Sequence, residues 1–395
     1  MAFARPGPLL LKKENIEVQN KQALSGGVAR VGGEVSSGDR VTGGTPAGGI
    51  RAGGVHAGGV HAGDVRGGGD RAGGTRPAGE IQLVAVQMRL SLDDYWSREA
   101  FERKIESLVA GVRRAVDPSL PALVAFPEDV GLMLVVQGFK AQLGNAATVG
   151  EAIARATRAL FWQAVRRRAL HRLSWVPALY LSRHRTIAQT YVEVFAEAAR
   201  SLGAYVAAGS AVLPRYRVKG GRVQWNQPLG SRVYNTAYLF DPGGRVIGVQ
   251  RKVHLIDLEM KKALDLAAGE LGELTVVDTA LGRVGVAICL DCFQDDVAES
   301  LARGGTQVLV QPSANPAPWT AEEKAGWQES AFRRTCVQKL FAYAVNPMMT
   351  GRIFDIEFYG QSTIVGQGGV LREASTADGE EILVATVPHP SALDP

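Results

Sequence analysis

The stretch Val284-Gly285-Val286-Ala287-Ile288-Cys289-Leu290-Asp291-Cys292-Phe293 decides how this chain reads. A β-branched apolar run ends abruptly in a cysteine and passes into a polar turn. That is the pattern of a buried strand delivering a thiol at its end. Two earlier segments have a similar form. Val124-Ala125-Phe126-Pro127-Glu128 ends an apolar run on a carboxylate, and Gln250-Arg251-Lys252-Val253-His254-Leu255 places a lysine just beyond an extended run.

These residue types belong to one chemistry. A thiol is nucleophilic as the thiolate, and a free cysteine has a pKa of about 8.5, so near neutrality it needs a base or a nearby cation. Glu128 is the candidate base. Lys252 and the backbone N–H of Leu290 are candidate donors to a developing oxyanion. Each residue alone has an ordinary structural explanation: a helix-cap neighbour for Glu128, a solvated pair with Arg251 for Lys252, a small core residue for Cys289. The three together, each beside an apolar β-rich run, point to a site.

The rest of the chain sets the frame for that site. Of the 47 glycines, 21 fall in the first 80 residues, which hold a single aromatic, Phe3. Such a segment buries too little apolar surface to offset its chain entropy, so residues 1–80 are expected to be a disordered Gly-rich tail. A degenerate repeat runs through residues 26–79, with His56 and His61 in successive copies. Residues 81–390 are ample for one α/β core. Strands are expected at Ile81–Met88, Pro121–Phe126, Ala204–Val212, Val233–Phe240, Val246–Gln250, Thr275–Asp278, Val284–Ile288, Gln307–Gln311 and Phe341–Asn346. Three short ones, Ser362–Val365, Val370–Glu373 and Ile382–Val387, close the chain. Helices are expected at Tyr95–Val116, Val149–Leu173, Thr186–Leu202, Asp295–Arg303 and Ala321–Leu340. Hairpins among these strands argue for a layered α/β sandwich over a purely parallel sheet.

A net charge of +5 is mild for 395 residues and comes without a nucleic-acid-binding motif, so no nucleic-acid partner is expected. Three cysteines make no disulfide framework and suit a reducing cytoplasm. The run Leu9-Leu10-Leu11 is too short for a signal peptide, and no stretch of about 18 apolar residues occurs to span a membrane. Residues 133–186 read as a helical basic insert. Between Ala152 and Val192 there is no Asp or Glu but there are eight arginines, with Phe161, Trp162, Trp175 and Tyr180 interleaved. This is either a solvated lid or subunit contact, or a basic amphipathic surface for weak membrane-surface contact or acidic partners.

Competing motifs are weaker. Cys289-x-x-Cys292 at a strand-to-helix turn has the placement of a redox pair or half a zinc site, for which Cys336 and His254 are the remaining ligands. The pair lies too deep in a long domain for the first, and the second lacks clustered ligands. No Gly-x-Ser-x-Gly elbow is present. Cys292 could also form a reversible disulfide with Cys289.

Phe126-Pro127-Glu128, Arg251-Lys252-Val253-His254-Leu255 and Gly285-Val286-Ala287-Ile288-Cys289-Leu290-Asp291, in that order, resemble the nitrilase, or carbon–nitrogen hydrolase, superfamily. The late segments Gly360-Gln361-Ser362-Thr363-Ile364-Val365 and Gly368-Gly369-Val370-Leu371 extend the resemblance. It implies a four-layer α-β-β-α sandwich, usually paired into dimers, and hydrolysis of a non-peptide C–N bond in a small amide-like or carbamoyl substrate. The reaction would pass through a cysteine thioester and use water, with no cofactor and no metal. Glu128 would be the base, Lys252 the oxyanion ligand and Cys289 the nucleophile. A second glutamate downstream of the lysine is best matched by Glu259, with Asp257 and Glu270 weaker candidates. The sequence departs from common relatives at Asp291-Cys292-Phe293-Gln294-Asp295-Asp296 and in the long interval between Glu128 and Lys252. Ser313–Trp319 is expected to contribute to the pocket. A reading of another class is a catalytically silent scaffold whose working surface is the basic insert.

Overall fold

The computed structural model describes residues 79–260 and 264–393. The glycine-rich segment with its two histidines lies outside the described residues, apart from Gly79 and Glu80 at its edge.

From Glu80 the chain enters strand β1 (Glu80–Ser91), and Ser91 caps a short 3-10 turn through Asp93. Helix α1 (Arg98–Ala115) follows, capped separately by Ser97. The expected single helix from Tyr95 is therefore two pieces, because two serines offer two caps. Then come β2 (Ala122–Ala125), the short helix α2 (Lys140–Leu143), α3 (Val149–Ala159), α4 (Phe161–His171) and α5 (Trp175–Leu202). The boundary expected at residue 186 falls inside α5, which runs unbroken for 28 residues. Its first turns bury Val176, Leu179, Tyr180 and Leu181 against the same core as its later ones, so they belong to the domain.

Next are β3 (Tyr205–Ala207), β4 (Ala211–Lys219), β5 (Arg222–Phe240), β6 (Val246–Arg251), β7 (Val276–Thr279) and β8 (Gly282–Val286). Helix α6 (Asp295–Arg303), β9 (Val308–Val310), β10 (Ser313–Ala314) and α7 (Ala321–Phe332) lead to β11 (Tyr343–Asn346). The strands β12 (Met348–Ile353), β13 (Ile356–Phe358), β14 (Thr363–Gly366), β15 (Gly369–Glu373) and β16 (Glu381–Pro388) end the fold. A π-turn at Arg333–Val337 shortens the helix expected to reach Leu340. The pair β12–β13 has no clear apolar alternation and was not anticipated.

One sheet has the order β10-β12-β1-β2-β3-β5-β4, with β13 on β12, β16 on β1 and β6 on β5; the other runs β15-β14-β11-β9-β8-β7. Alternation along the strands sorts the side chains into three interfaces. Val84, Val86, Val124 and Val206 pack under α1 and α5. Leu83, Ala85, Leu123 and Ala207 turn the other way and meet Val284, Val286, Val308, Val310 and Val345 from the second sheet. Leu309, Ala344 and Val365 then pack under α6 and α7 with Val297, Leu301 and Ala331. Three interfaces between four layers make the α-β-β-α sandwich.

The strand expected at Ala204–Val212 is broken between β3 and β4 for a steric reason. Gly209 has φ +67°, and a Cβ there would stand 1.9 Å from the Pro127 carbonyl oxygen. The chain passes against the backbone that carries Glu128, which only glycine permits. Gly209→Ala is expected to lower stability by about 2–4 kcal/mol and to reduce any activity that depends on Glu128. Chemical denaturation would check the first, and unchanged stability would remove this steric account.

Candidate active site

Glu128 lies three residues beyond β2. The strand pairing with β3 is extended by Phe126 N–H to the Ala207 carbonyl, 2.9 Å, and the chain then turns at Asp129, whose φ is +63°. Asp129 N–H donates to Ser210 Oγ, 2.9 Å. Three tyrosine hydroxyls brace this turn and its neighbour: Tyr95 to the Val130 carbonyl, Tyr180 to the Leu132 carbonyl, and Tyr191 to the carbonyls of Ala208 and Gly209. Tyr180 and Tyr191 come from α5, so the long helix positions the Glu128 loop.

Lys252 follows β6. Thr236 pairs with Arg251, and Lys252 N–H donates to the Asn235 carbonyl at 2.9 Å, so Lys252 and Asn235 stand side by side. Lys252 Nζ lies 2.8 Å from Glu128 Oε1 and 2.8 Å from Glu259 Oε2. Asn235 Nδ2 donates to the same two side chains, at 2.9 Å to Glu128 Oε1 and 2.8 Å to Glu259 Oε1. One cation and one amide thus tie two carboxylates into a closed ring. Glu259 is itself held by Ile256 N–H at 3.1 Å. Glu270, a weaker sequence candidate, lies instead on the surface near Arg215.

Cys289 completes the cluster by breaking the strand pattern. Val284, Val286 and Ile288 face the space between the sheets while Ala287 faces α6 and α7. Simple alternation would send Cys289 outward with Ala287. Its φ of +50°, rare for a side chain with a Cβ, turns it inward instead. Its N–H donates to the Pro312 carbonyl, 2.9 Å, and its thiol lies beside the Glu128 carboxyl, near enough for each to shift the other's proton affinity. Lys252 is 1% exposed, Glu128 2%, Glu259 5% and Cys289 6%, so the thiol is the most accessible member of a nearly closed site.

Burial controls the charges. Loss of water pushes the Cys289 thiol well above its usual range, and the Glu128 charge adds to this against the pull of Lys252. Burial likewise raises Glu128, with Lys252 opposing and Glu259 reinforcing. Burial alone would lower Lys252, but its two carboxylate neighbours outweigh that and hold its pKa well above normal. The resting arrangement is a neutral thiol beside a carboxylate and a fixed ammonium.

Three residues with structural parts here were missed in the sequence. Asn235 gave no motif signal. Asp291 was read only as the last residue of the cysteine motif and the first of the segment that departs from the usual pattern, with no role of its own. Its carboxylate accepts from Val253 N–H at 3.1 Å and His254 N–H at 2.7 Å, pinning the segment after Lys252 to the turn after Cys289. Burial pushes its pKa up to about 7 against those two bonds. Asp129, beside Glu128, has a carboxyl group with no hydrogen-bond partner among the described residues, and burial raises it well above the carboxylate range. Its acidity next to the apparent base gave the only sequence signal.

Cys292 serves another layer. It packs with Val297, Leu301 and Phe341 under the outer helices, where burial pushes its thiol up to about 12, while Cys289 lies beside Glu128. Cys289 and Cys292 are both free and lie in different apolar clusters, the left-handed turn sending Cys289 to the inner face. Of the residues weighed for zinc, His254 pairs with Asp296 at 3.0 Å and the Cys336 thiol donates to the Gly366 carbonyl. In the expected pocket segment, Trp319 Nε1 donates to Gln361 Oε1, 3.1 Å.

Removing one charge from a buried ion network leaves the others uncompensated. Lys252→Met is expected to destabilise the fold by about 3–5 kcal/mol, more than Glu259→Gln, which keeps a polar group of the same shape. Urea denaturation of both variants checks the order, and equal stability would show that the ring carries no such load.

A family model described as carbon-nitrogen hydrolase matches residues 83–392. The omega-amidase NIT3 of Saccharomyces cerevisiae is 29% identical over 170 residues, covering 42% of this chain and 57% of that protein. The chain spans about half the length of the curated relatives it matches. Among solved structures, Saccharomyces cerevisiae Nit3, described as a member of the nitrilase superfamily, superposes with a TM-score of 0.53 at 20% identity, over 80% of this chain and 93% of that one. An amidase from Nesterenkonia sp. AN1, with the acetamide moiety of fluoroacetamide covalently added at its active-site cysteine, gives 0.52 at 17% identity, over 81% and 95%. With the family model matching residues 83–392, nearly all of the described sandwich, the chain belongs to the carbon–nitrogen hydrolase family.

Proposed function

We propose that this protein hydrolyses the amide-type C–N bond of a small molecule through a thioester on Cys289. The observation that carries the reading is the Glu128 carboxylate bonded to the Lys252 ammonium at 2.8 Å beside the Cys289 thiol, whose pKa it raises. The omega-amidase relatives and the amidase with an adduct on its cysteine support an amide or carbamoyl substrate over a nitrile.

The order of events follows from the charges. Because the thiol is protonated at rest, attack needs a base at the moment of bond formation. Glu128 takes the thiol proton as Sγ adds to the carbonyl carbon. The oxyanion that forms is held by the Lys252 ammonium and the Leu290 N–H. Collapse of this intermediate breaks the C–N bond, and Glu128 returns its proton to the departing nitrogen. A water molecule, deprotonated by Glu128, then attacks the thioester and releases the carboxylic acid, and the thiolate recovers its proton. Glu259 and Asn235 act as positioning residues: they hold Lys252 and Glu128 in register without touching the reacting carbon. A silent scaffold on this fold would have no need for a thiol, a base and an ammonium closed into one buried cluster.

Cys289→Ala is expected to lose at least about 10³-fold in amide turnover. Intact-mass measurement with small amides should show an acyl adduct on Cys289 in the unaltered chain and none in Glu128→Gln, which cannot take the thiol proton. Turnover that survives in Cys289→Ala overturns the proposal. The pH profile follows from the raised Glu128 pKa. The base form is required, so kcat/KM should fall as pH drops through an acid limb lying above the usual 4.5. A limb at or below 4.5 would assign the base to another group.

A further inference from the structure

We propose that helix α4 is a docking face for an anionic phospholipid surface. The sequence alone left this helical segment between a solvated lid and a binding face, and the arrangement of its side chains decides between them. Ala164 is buried, while Trp162, Gln163, Arg166, Ala169 and Leu170 are exposed. Trp162, Arg166 and Leu170 are spaced i, i+4, i+8 and so form one outward stripe, apolar, basic, apolar. Trp162 is 80% exposed and Leu170 66%. With Phe161, they are three of the eight large apolar side chains exposed among the described residues, gathered on a helix about 16 Å long.

The helix is anchored on its other side. The Arg168 guanidinium lies 4.1 Å above the Trp175 ring, and Phe161 stacks on the same ring with centroids 6.4 Å apart. These contacts fix the base of the stripe; Trp162 packs edge-on against Phe161 with centroids 5.2 Å apart, and its outer surface and Leu170 are left to solvent. An apolar stripe on solvent is unfavourable unless something covers it.

Charge selects the cover. No Asp or Glu occurs between Ala152 and Val192. The nearest acids on the flanking helices are already paired, Glu151 with Arg155 and Glu193 with Arg98. Arg158, Arg166 and Arg172 are exposed and form no ion pair among the described residues. A second copy of this chain would bring the same positive field against itself, so an anionic partner is favoured. A tryptophan and a leucine set between arginines match the interfacial region of a bilayer, where the indole sits at headgroup level and the guanidinium groups meet phosphates. An acidic protein would supply the charge but offers no reason for a tryptophan left 80% exposed.

The test is co-sedimentation of the full chain with vesicles of phosphatidylcholine alone and with phosphatidylserine added, at low and high salt. Binding is expected to the anionic vesicles only and to weaken with salt. The double variant Arg166→Glu/Arg172→Glu should reduce it about tenfold or more, and Trp162→Ser/Leu170→Ser should reduce it at all salt concentrations. Amide turnover should be unchanged in both variants, which also verifies folding. Absence of binding at low salt, or binding that neither variant alters, overturns the proposal. So does a fall in oligomer mass in the Trp162→Ser/Leu170→Ser variant without loss of vesicle binding, which would assign the stripe to a contact between copies. Capture by acidic polypeptide with no affinity for vesicles would overturn it in favour of a protein partner.

Discussion

The arrangement of this protein depends on one buried ammonium group. Lys252 is almost wholly removed from water, a state that an isolated lysine would answer by losing its proton. It keeps its charge because Glu128 and Glu259 stand 2.8 Å away on either side. The carboxylates in turn tolerate burial because Lys252 and Asn235 both donate to them. None of the four groups is stable in that place without the others. The cluster therefore demands that the strand before Glu128, the β5–β6 hairpin and the loop carrying Glu259 meet at one point, and the sandwich is the frame that brings them there.

That demand explains features otherwise unrelated. Gly209 lets a neighbouring chain lie against Pro127. Tyr191 and Tyr180 reach from α5 to the backbone around Glu128, which makes the long helix part of the site's support. Asp291 ties the segment after Lys252 to the turn after Cys289. The left-handed conformation of Cys289 stores strain that the surrounding contacts hold in place. It also brings the thiol to Glu128, so the strain and the contact have one cause.

Electrostatics also separate the roles of the carboxylates. Glu128 is the one that lies beside the thiol, and its raised pKa would suit the proton transfer proposed for it. Among the described residues Glu259 bonds the lysine, the amide of Asn235 and the backbone of Ile256, and helps to keep the ammonium charged. The arginines of α4 lie in another layer and share no contact with this cluster, so the surface they form is open to a separate task.

The order Glu128, Lys252, Cys289, and the strands beside them, were legible in the chain because each is a local pattern: an apolar run with period two and an ionisable residue at its end. The same holds for the alternation that separates the three interfaces. Asn235 and Asp291 were not legible, because their importance lies in bonds to residues 24 to 107 positions away. The full length of α5 was hidden because Arg183-His184-Arg185 interrupts its apolar face, and only packing shows that its first turns are core. The direction of the Cys289 side chain was hidden too, since alternation predicts the opposite face. Sequence by itself determined which groups are present and in what order. Tertiary structure decided which of them meet, because Glu128 and Lys252 are 124 residues apart and only the packed sheets close that distance.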